Sequence, residues 1–232
     1  MERTHLDTIL NNLFYPNEKT VTKNKVVNVR INEQFLKDES KNTTTNVSCF
    51  YNNDSITAKI VNRNNDKAII FTYCYESDNI LKLLYVDGQL RREYLSDGTF
   101  MEYDDDKSYK YEKNKLVEVY DKSGLIDSIS YEYNDKEKIT KELGSNYSIE
   151  YRYDRNNRLK RAIHIVDGEI KRDVLFVYRT KHYEIEDLVS GSTYYMIPNI
   201  LSLPKSVTKY NKDNEIVYKS ELYYILDDKT LV

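Results

Sequence analysis

Residues 108–154 read SYKYEKNKLVEVYDKSGLIDSISYEYNDKEKITKELGSNYSIEYRYD, and one phrase recurs in them. It stands at Tyr109-Lys110-Tyr111-Glu112, Tyr131-Glu132-Tyr133-Asn134 and Tyr151-Arg152-Tyr153-Asp154, in steps of 22 and 20 residues. A polar turn and then a Leu or Ile follow each copy: Leu116, Ile139 and Leu159. Strand side chains alternate between faces, so Tyr-x-Tyr puts two rings on one face and the charged residues on the other. That is the pattern of a half-buried antiparallel strand. The Glu, Asn or Asp after the second Tyr suits a turn, where polar side chains bond local backbone groups. Each unit of roughly twenty residues is then one hairpin, and a lone hairpin is marginal in water, so each must lean on its neighbours.

The glycines agree. There are only six: Gly88, Gly98, Gly124, Gly144, Gly168 and Gly191. Three follow Asp (Asp87, Asp97, Asp167), the strongest short-range hairpin signal. The others lie in Ser123-Gly124, Gly144-Ser145-Asn146 and Ser190-Gly191-Ser192. Glycine turns at one end of a sheet alternating with Tyr-x-Tyr turns at the other give an all-β, twisted antiparallel meander.

Tyr-x-Tyr-Asp, a polar turn and then Arg/Lys-Leu, with glycine turns between, resembles the YD repeat of Rhs-type proteins. The clearest copy runs from Tyr151 to Leu159, and Tyr120-Asp121-Lys122-Ser123-Gly124 and Val166-Asp167-Gly168 fit the same pattern. The resemblance covers roughly residues 70–220. It implies an array of β-hairpins and is nearly silent on chemistry. Full Rhs proteins use many such repeats to build a shell around a toxin, and this chain has far fewer. Short arrays of similar hairpins occur in small bacterial immunity proteins and antitoxins, which implies a cognate toxin as the protein partner.

Composition narrows the classes. The 35 basic and 38 acidic residues leave a net charge of −3, which argues against nucleic-acid or anionic-membrane partners. Tyrosine, at 23 residues, favours strands and tolerates half-wet positions, which suits a thin sheet. Two cysteines, Cys49 and Cys74, make no disulfide framework. No apolar run reaches the length of a membrane helix and no apolar leader follows Met1, so a cytoplasmic protein is expected.

Residues 5–15 carry Leu6, Ile9, Leu10 and Leu13, the stripe of a short amphipathic helix with Thr4 as its cap and Pro16 beyond it. The helix is expected to cover part of the first sheet or close its edge. Strands are expected within 20–35 and at 47–51, 56–61 and 68–75, making residues 1–75 an N-terminal helix and cap. Residues 76–232 form the hairpin array, continuous with it. Prolines in YYMIPNILSLPK, residues 194–205, are expected to interrupt the pairing before a last hairpin, 206–211 with 215–226.

Candidate chemistry is sparse. His182, Glu184 and Glu186 share a strand face, yet same-face neighbours sit roughly 7 Å apart, too far to close on one ion. Asp104-Asp105-Asp106 lacks the glycine and distal Glu of a calcium loop and reads as a charged turn. His164, in an apolar run, reads as packed, and both cysteines read as buried structural thiols. Ser190-Gly191-Ser192 lacks the context of a nucleophile elbow, and no phosphate or dinucleotide motif occurs. No catalytic, metal or cofactor residue is therefore expected. The tyrosine ladder reads chiefly as cross-strand packing, with a few exposed members free for an interface. The expectation is a non-enzymatic protein-binding module that neutralises a cognate toxin, as a monomer or an edge-paired homodimer. The alternative is a carbohydrate- or envelope-associated binding module using exposed tyrosines.

Overall fold

A computed structural model describes residues 4–15, 26–36, 38–52, 55–64, 68–75, 81–95, 98–113, 115–199 and 201–226. Residues 20–25 of the first expected strand and Asp97 of one Asp-Gly turn lie outside them. The described residues form an antiparallel β meander with one α-helix, α1 (His5–Phe14). The first strands are β1 (Val26–Phe35), β2 (Thr43–Asn52), β3 (Ser55–Arg63), β4 (Ile69–Tyr75), β5 (Leu81–Val86) and β6 (Gln89–Tyr94). Then come β7 (Thr99–Tyr103), β8 (Lys107–Glu112), β9 (Lys115–Asp121), β10 (Gly124–Ser128), β11 (Ser130–Tyr133) and β12 (Ile139–Leu143). The chain continues through β13 (Tyr147–Tyr153), β14 (Leu159–Val166), β15 (Glu169–Tyr178) and β16 (Tyr183–Asp187). It ends with β17 (Ser192–Pro198), β18 (Pro204–Tyr210) and β19 (Ile216–Leu226).

The meander is not open. β1 pairs with β2 on one side and with β19 on the other, from Val26 opposite Leu226 to Phe35 opposite Tyr218. The sheet therefore rolls into a nearly closed barrel, which corrects the expected open twisted meander. The strands expected to cap the array are members of the same wall. The expected interruption at residues 194–205 is also corrected. Pro198 ends β17 and Pro204 begins β18, opposite each other, so the prolines sit at strand ends where a missing donor costs no central ladder bond.

Two turn types alternate between the rims, each with its own mechanism. On one rim Asp87-Gly88 and Asp167-Gly168 have φ of 50° and 80°, and of 50° and 81°, the two left-handed residues a tight hairpin needs. On the other, Asn134, Asp154 and Asn199 accept two backbone N–H bonds each through Oδ1 (Lys136 and Lys138; Asn156 and Arg158; Leu201 and Leu203). Asn211 builds the same turn on the first rim, with Asp213 and Glu215 as donors.

A bulge follows the apolar residue that opens the next strand. Tyr133 faces Ile139, but Glu132 faces Lys141, leaving Thr140 unmatched. The same shift occurs at Tyr153–Leu159, Tyr111–Leu116, Tyr51–Ile56 and Tyr75–Leu81. A bulge disrupts the local ladder, and a carbonyl turned off the ladder needs another donor. Tyrosine hydroxyls of the following hairpin supply it. Tyr75 donates to the Ile56 carbonyl (2.6 Å), Tyr131 to Leu116 (2.7 Å), Tyr153 to Ile139 (2.8 Å) and Tyr224 to Pro204 (2.6 Å). Tyr51 likewise donates to Val26 (2.8 Å). The ladder is thus a series of staples, each hairpin held to the one before it.

Removing one staple while keeping the ring tests this. Tyr153→Phe leaves the Ile139 carbonyl without its donor and is expected to cost about 1–3 kcal/mol in urea unfolding. Tyr133→Phe, at a side chain 46 % exposed, is expected to stay within about 0.5 kcal/mol of the parent. Equal effects of the two substitutions refute the staple.

Candidate functional site

The inward face carries two apolar clusters. One gathers Leu6 and Leu10 of α1 with Ile149, Tyr151, Ala162, Val174 and Phe176, and the other centres on Val26, Val29, Leu222 and Tyr224. The expected helix is present, with Thr4 and Asp7 forming a reciprocal capping box. Of the two expected places it takes the first: it covers part of the sheet, on the face that carries the apolar clusters, and closes no edge, and its two ends touch strands far apart in the wall.

At its N-terminus the helix meets Glu142, which is 0 % exposed. The His5 backbone N–H donates to both carboxylate oxygens (3.1 and 3.3 Å), Tyr147 OH to Oε1 (3.0 Å) and Tyr151 OH to Oε2 (2.8 Å). The His5 ring packs edge-on against Tyr151, with centroids 5.8 Å apart. Asp7 pairs with Arg172 of β15 at 2.7 Å. At the C-terminus Phe14 stacks on Tyr194 (5.1 Å), and Tyr15 and Tyr218 both donate to Glu33 Oε1 (3.2 and 2.8 Å). A 470 Å³ groove runs beside this end, lined by Phe14, Phe35, Tyr194, Val207 and Tyr218.

Burial is the largest influence on Glu142 and raises its pKa, with the Tyr151, Tyr147 and His5 donors pulling the other way. Burial likewise raises the Tyr147 and Tyr151 phenols, with the Glu142 charge adding to it. His5 is lowered, by burial first and then by Lys115. Glu142 has no place among the sequence candidates, because alternation counted from Ile139 sends it outward. The bulge at Thr140 shifts the phase and turns it in.

The sequence candidates resolve into structural roles. His182 precedes β16 and its Nε2 lies 2.9 Å from Glu184, which Arg179 also approaches at 3.3 Å. Glu184 and Glu186 face outward opposite Val177 and Leu175. Asp105 pairs with Arg91 (3.0 Å) and Asp106 with Lys122 (3.2 Å), a charged turn as expected. His164 packs edge-on against Tyr147, with centroids 5.6 Å apart. Cys49 is buried and Cys74 only half-buried, and neither forms a disulfide. No cluster of three metal-ligating side chains occurs among the described residues.

The outward face is mixed. It carries Lys110–Glu118 (3.2 Å), Arg152–Glu150 (3.3 Å) and a two-point Arg161–Asp173 pair, with exposed Phe50, Ile70 and Ile197 elsewhere on it. Where β18, β19, β1 and β2 meet, this face is indented by a 530 Å³ cleft lined by Arg30, Asn32, Thr44, Thr208, Lys219 and Glu221.

No family model matches the chain, and no curated protein matches it. Among solved structures it is similar to a porin-like protein from Bacteroides uniformis, with a TM-score of 0.32 and 10% identity, over 87% of this chain and 98% of that one. The cytoplasmic expectation is withdrawn. It rested on the want of an apolar leader and of an apolar membrane helix, and the second test does not apply to a nearly closed barrel of strands. A lipid-facing barrel needs an outward apolar band about 25 Å tall. The described outward residues include the charged pairs above.

Glu142 gives a pH test. Its folded pKa lies above the 4.5 of a free carboxyl, so the folded chain holds the proton more tightly than the unfolded one. Stability contributed by this group is therefore largest at low pH and falls as pH rises past 4.5 through the folded pKa. In urea unfolding, the parent's stability minus that of Glu142→Gln is expected to decline from pH 4.5 upward and then level off. A difference that stays flat or grows with pH refutes the assignment.

Proposed function

We propose that this chain is a non-enzymatic protein-binding module, an immunity protein or antitoxin that neutralises a cognate toxin by direct contact. The observation that carries the reading is the outward cleft across β18, β19, β1 and β2. Its lining alternates Arg30, Lys219 and Glu221 with the amides and hydroxyls of Asn32, Thr44 and Thr208. Small-molecule pockets are lined mainly by apolar and aromatic groups, and this cleft has the reverse character. Mixed charge on a firm sheet suits recognition of a protein by complementarity, which sets specificity and association rate. Glu184, the carboxylate beside His182, is held by Arg179 and His182 itself, which favours binding over catalysis. The glycan reading is weaker, since exposed Tyr133 and Tyr223 stand in β11 and β19 with β12–β18 between them.

The test is co-expression with the neighbouring reading frame. A neighbour whose toxicity this chain relieves, and which co-purifies with it, is the expected result. Reversing two cleft charges, Arg30→Glu with Lys219→Glu, is expected to weaken the complex about tenfold or more, chiefly through slower association. No protein partner in co-expression or in pulldown from the native host overturns the proposal.

A further inference from the structure

Among the described strands, the hydrogen-bonded wall steps from one neighbour to another at Ile129. Residues 124–133 are one extended run whose first half, β10, pairs with β9 and whose second half, β11, pairs with β12. The Ile129 N–H donates to the Val117 carbonyl at 2.8 Å. Ser128 and Glu118, the next pair, are then a pair without mutual bonds, so Ser128 turns its N–H and C=O away from β9. On that side no described residue pairs with β10. β12 ends at Leu143, opposite Ser130, and beyond it Ser145 touches β10 only through the Asp127 side chain, its N–H (3.0 Å) and hydroxyl both donating to Oδ1, so the Ser128 backbone keeps no strand partner on that side. The edge is open to solvent, with Leu125 55% and Ile126 41% exposed. A 350 Å³ half-apolar cavity adjoins it, with Tyr109, Leu116, Val119 and Ile129 on one side and Asp127 and Ser145 on the other.

From this free edge and its cavity we propose that β10 receives an extended segment of the protein partner as an added strand. One apolar side chain of that segment fills the cavity. The inference rests on the protein-binding reading and adds the place and form of contact. Strand addition draws affinity from main-chain bonds and specificity from pockets for alternate side chains, and both are provided here. A second copy of this chain fits less well. Its β10 would bring Asp127, which faces inward opposite Val119 and is held by its own Ser145, where the apolar wall of the cavity calls for an apolar side chain.

The experiment uses the intact protein and a displayed library of short linear peptides. The expected result is enrichment of peptides with alternating apolar residues. Their affinity should fall about tenfold or more on Ser128→Pro, which removes a donor from the free edge and no bond to β9. Val119→Phe, which fills the cavity, should weaken the same peptides while Ser128→Pro and parent unfold at similar urea concentrations. Enriched peptides indifferent to both substitutions, or no enrichment, overturn the inference. So does a dimer of the parent that Ser128→Pro dissociates, since the edge then belongs to a second copy. A toxin complex that forms equally well with Ser128→Pro overturns this contact and leaves the protein-binding reading standing.

Discussion

A sheet one layer thick must find something to bury its apolar face against, and for one of its two apolar clusters that something is a single ten-residue helix anchored by Glu142. Both ends of α1 are tied by polar bonds. Between them, Leu6 and Leu10 supply an apolar stripe to one cluster of the inward face. Burying a leucine is worth about 1.5–3 kcal/mol, so two of them alone hold a short helix only modestly. The polar ends set its position. The helix N-terminus carries unsatisfied N–H groups and partial positive charge, and Glu142 answers both with one carboxylate. Without that anchor, the tyrosines donating to Glu142 would face an empty acceptor in the interior.

The cost of the arrangement is a buried carboxyl, and its raised pKa records that burial outweighs the donors around it. An apolar residue there would avoid the penalty but would leave the His5 N–H and two phenols unpaired. Placement is what the charge provides. Leucine contacts are non-directional and allow α1 to slide along the wall, whereas a carboxylate held by three donors fixes one depth and one rotation. The Asp7–Arg172 pair fixes the rotation again from a second strand.

Much of this was readable from the sequence because it is local. Tyr-x-Tyr spacing, Asp-Gly turns and the Leu6–Leu10 stripe each act within a few residues, and β12–β16 and α1 fall close to where those signals place them. What could not be read depends on residues far apart or on a shift of phase. Closure joins Val26 to Leu226 and follows from the accumulated twist of the whole wall, which no short window records. The helix stripe says that one face is buried and is silent on where. The bulge at Thr140 reverses the inward and outward sets beyond it, so Glu142 looks like a solvated residue until the register is known. The tyrosines were read as packing, and their hydroxyls emerge as the donors that make the bulges tolerable.

Closure also bears on function. An open meander leaves two long edges, each a ready template for unwanted pairing. Joining β1 to β19 removes both. Among the described strands, a step remains between β9–β10 and β11–β12, where β10 has a ladder partner on one side. A step of this kind was avoidable, since elsewhere each strand pairs along one neighbour on each side. Here the run from Gly124 to Tyr133 changes partner midway, and only Ile129, 6 % exposed, is buried within it. A short free edge beside a half-apolar cavity is too small to nucleate sheet aggregation and large enough to select a single strand. In the proposed function, this edge and the polar cleft near β1 are the two surfaces that meet the protein partner, one reading charge and one reading backbone.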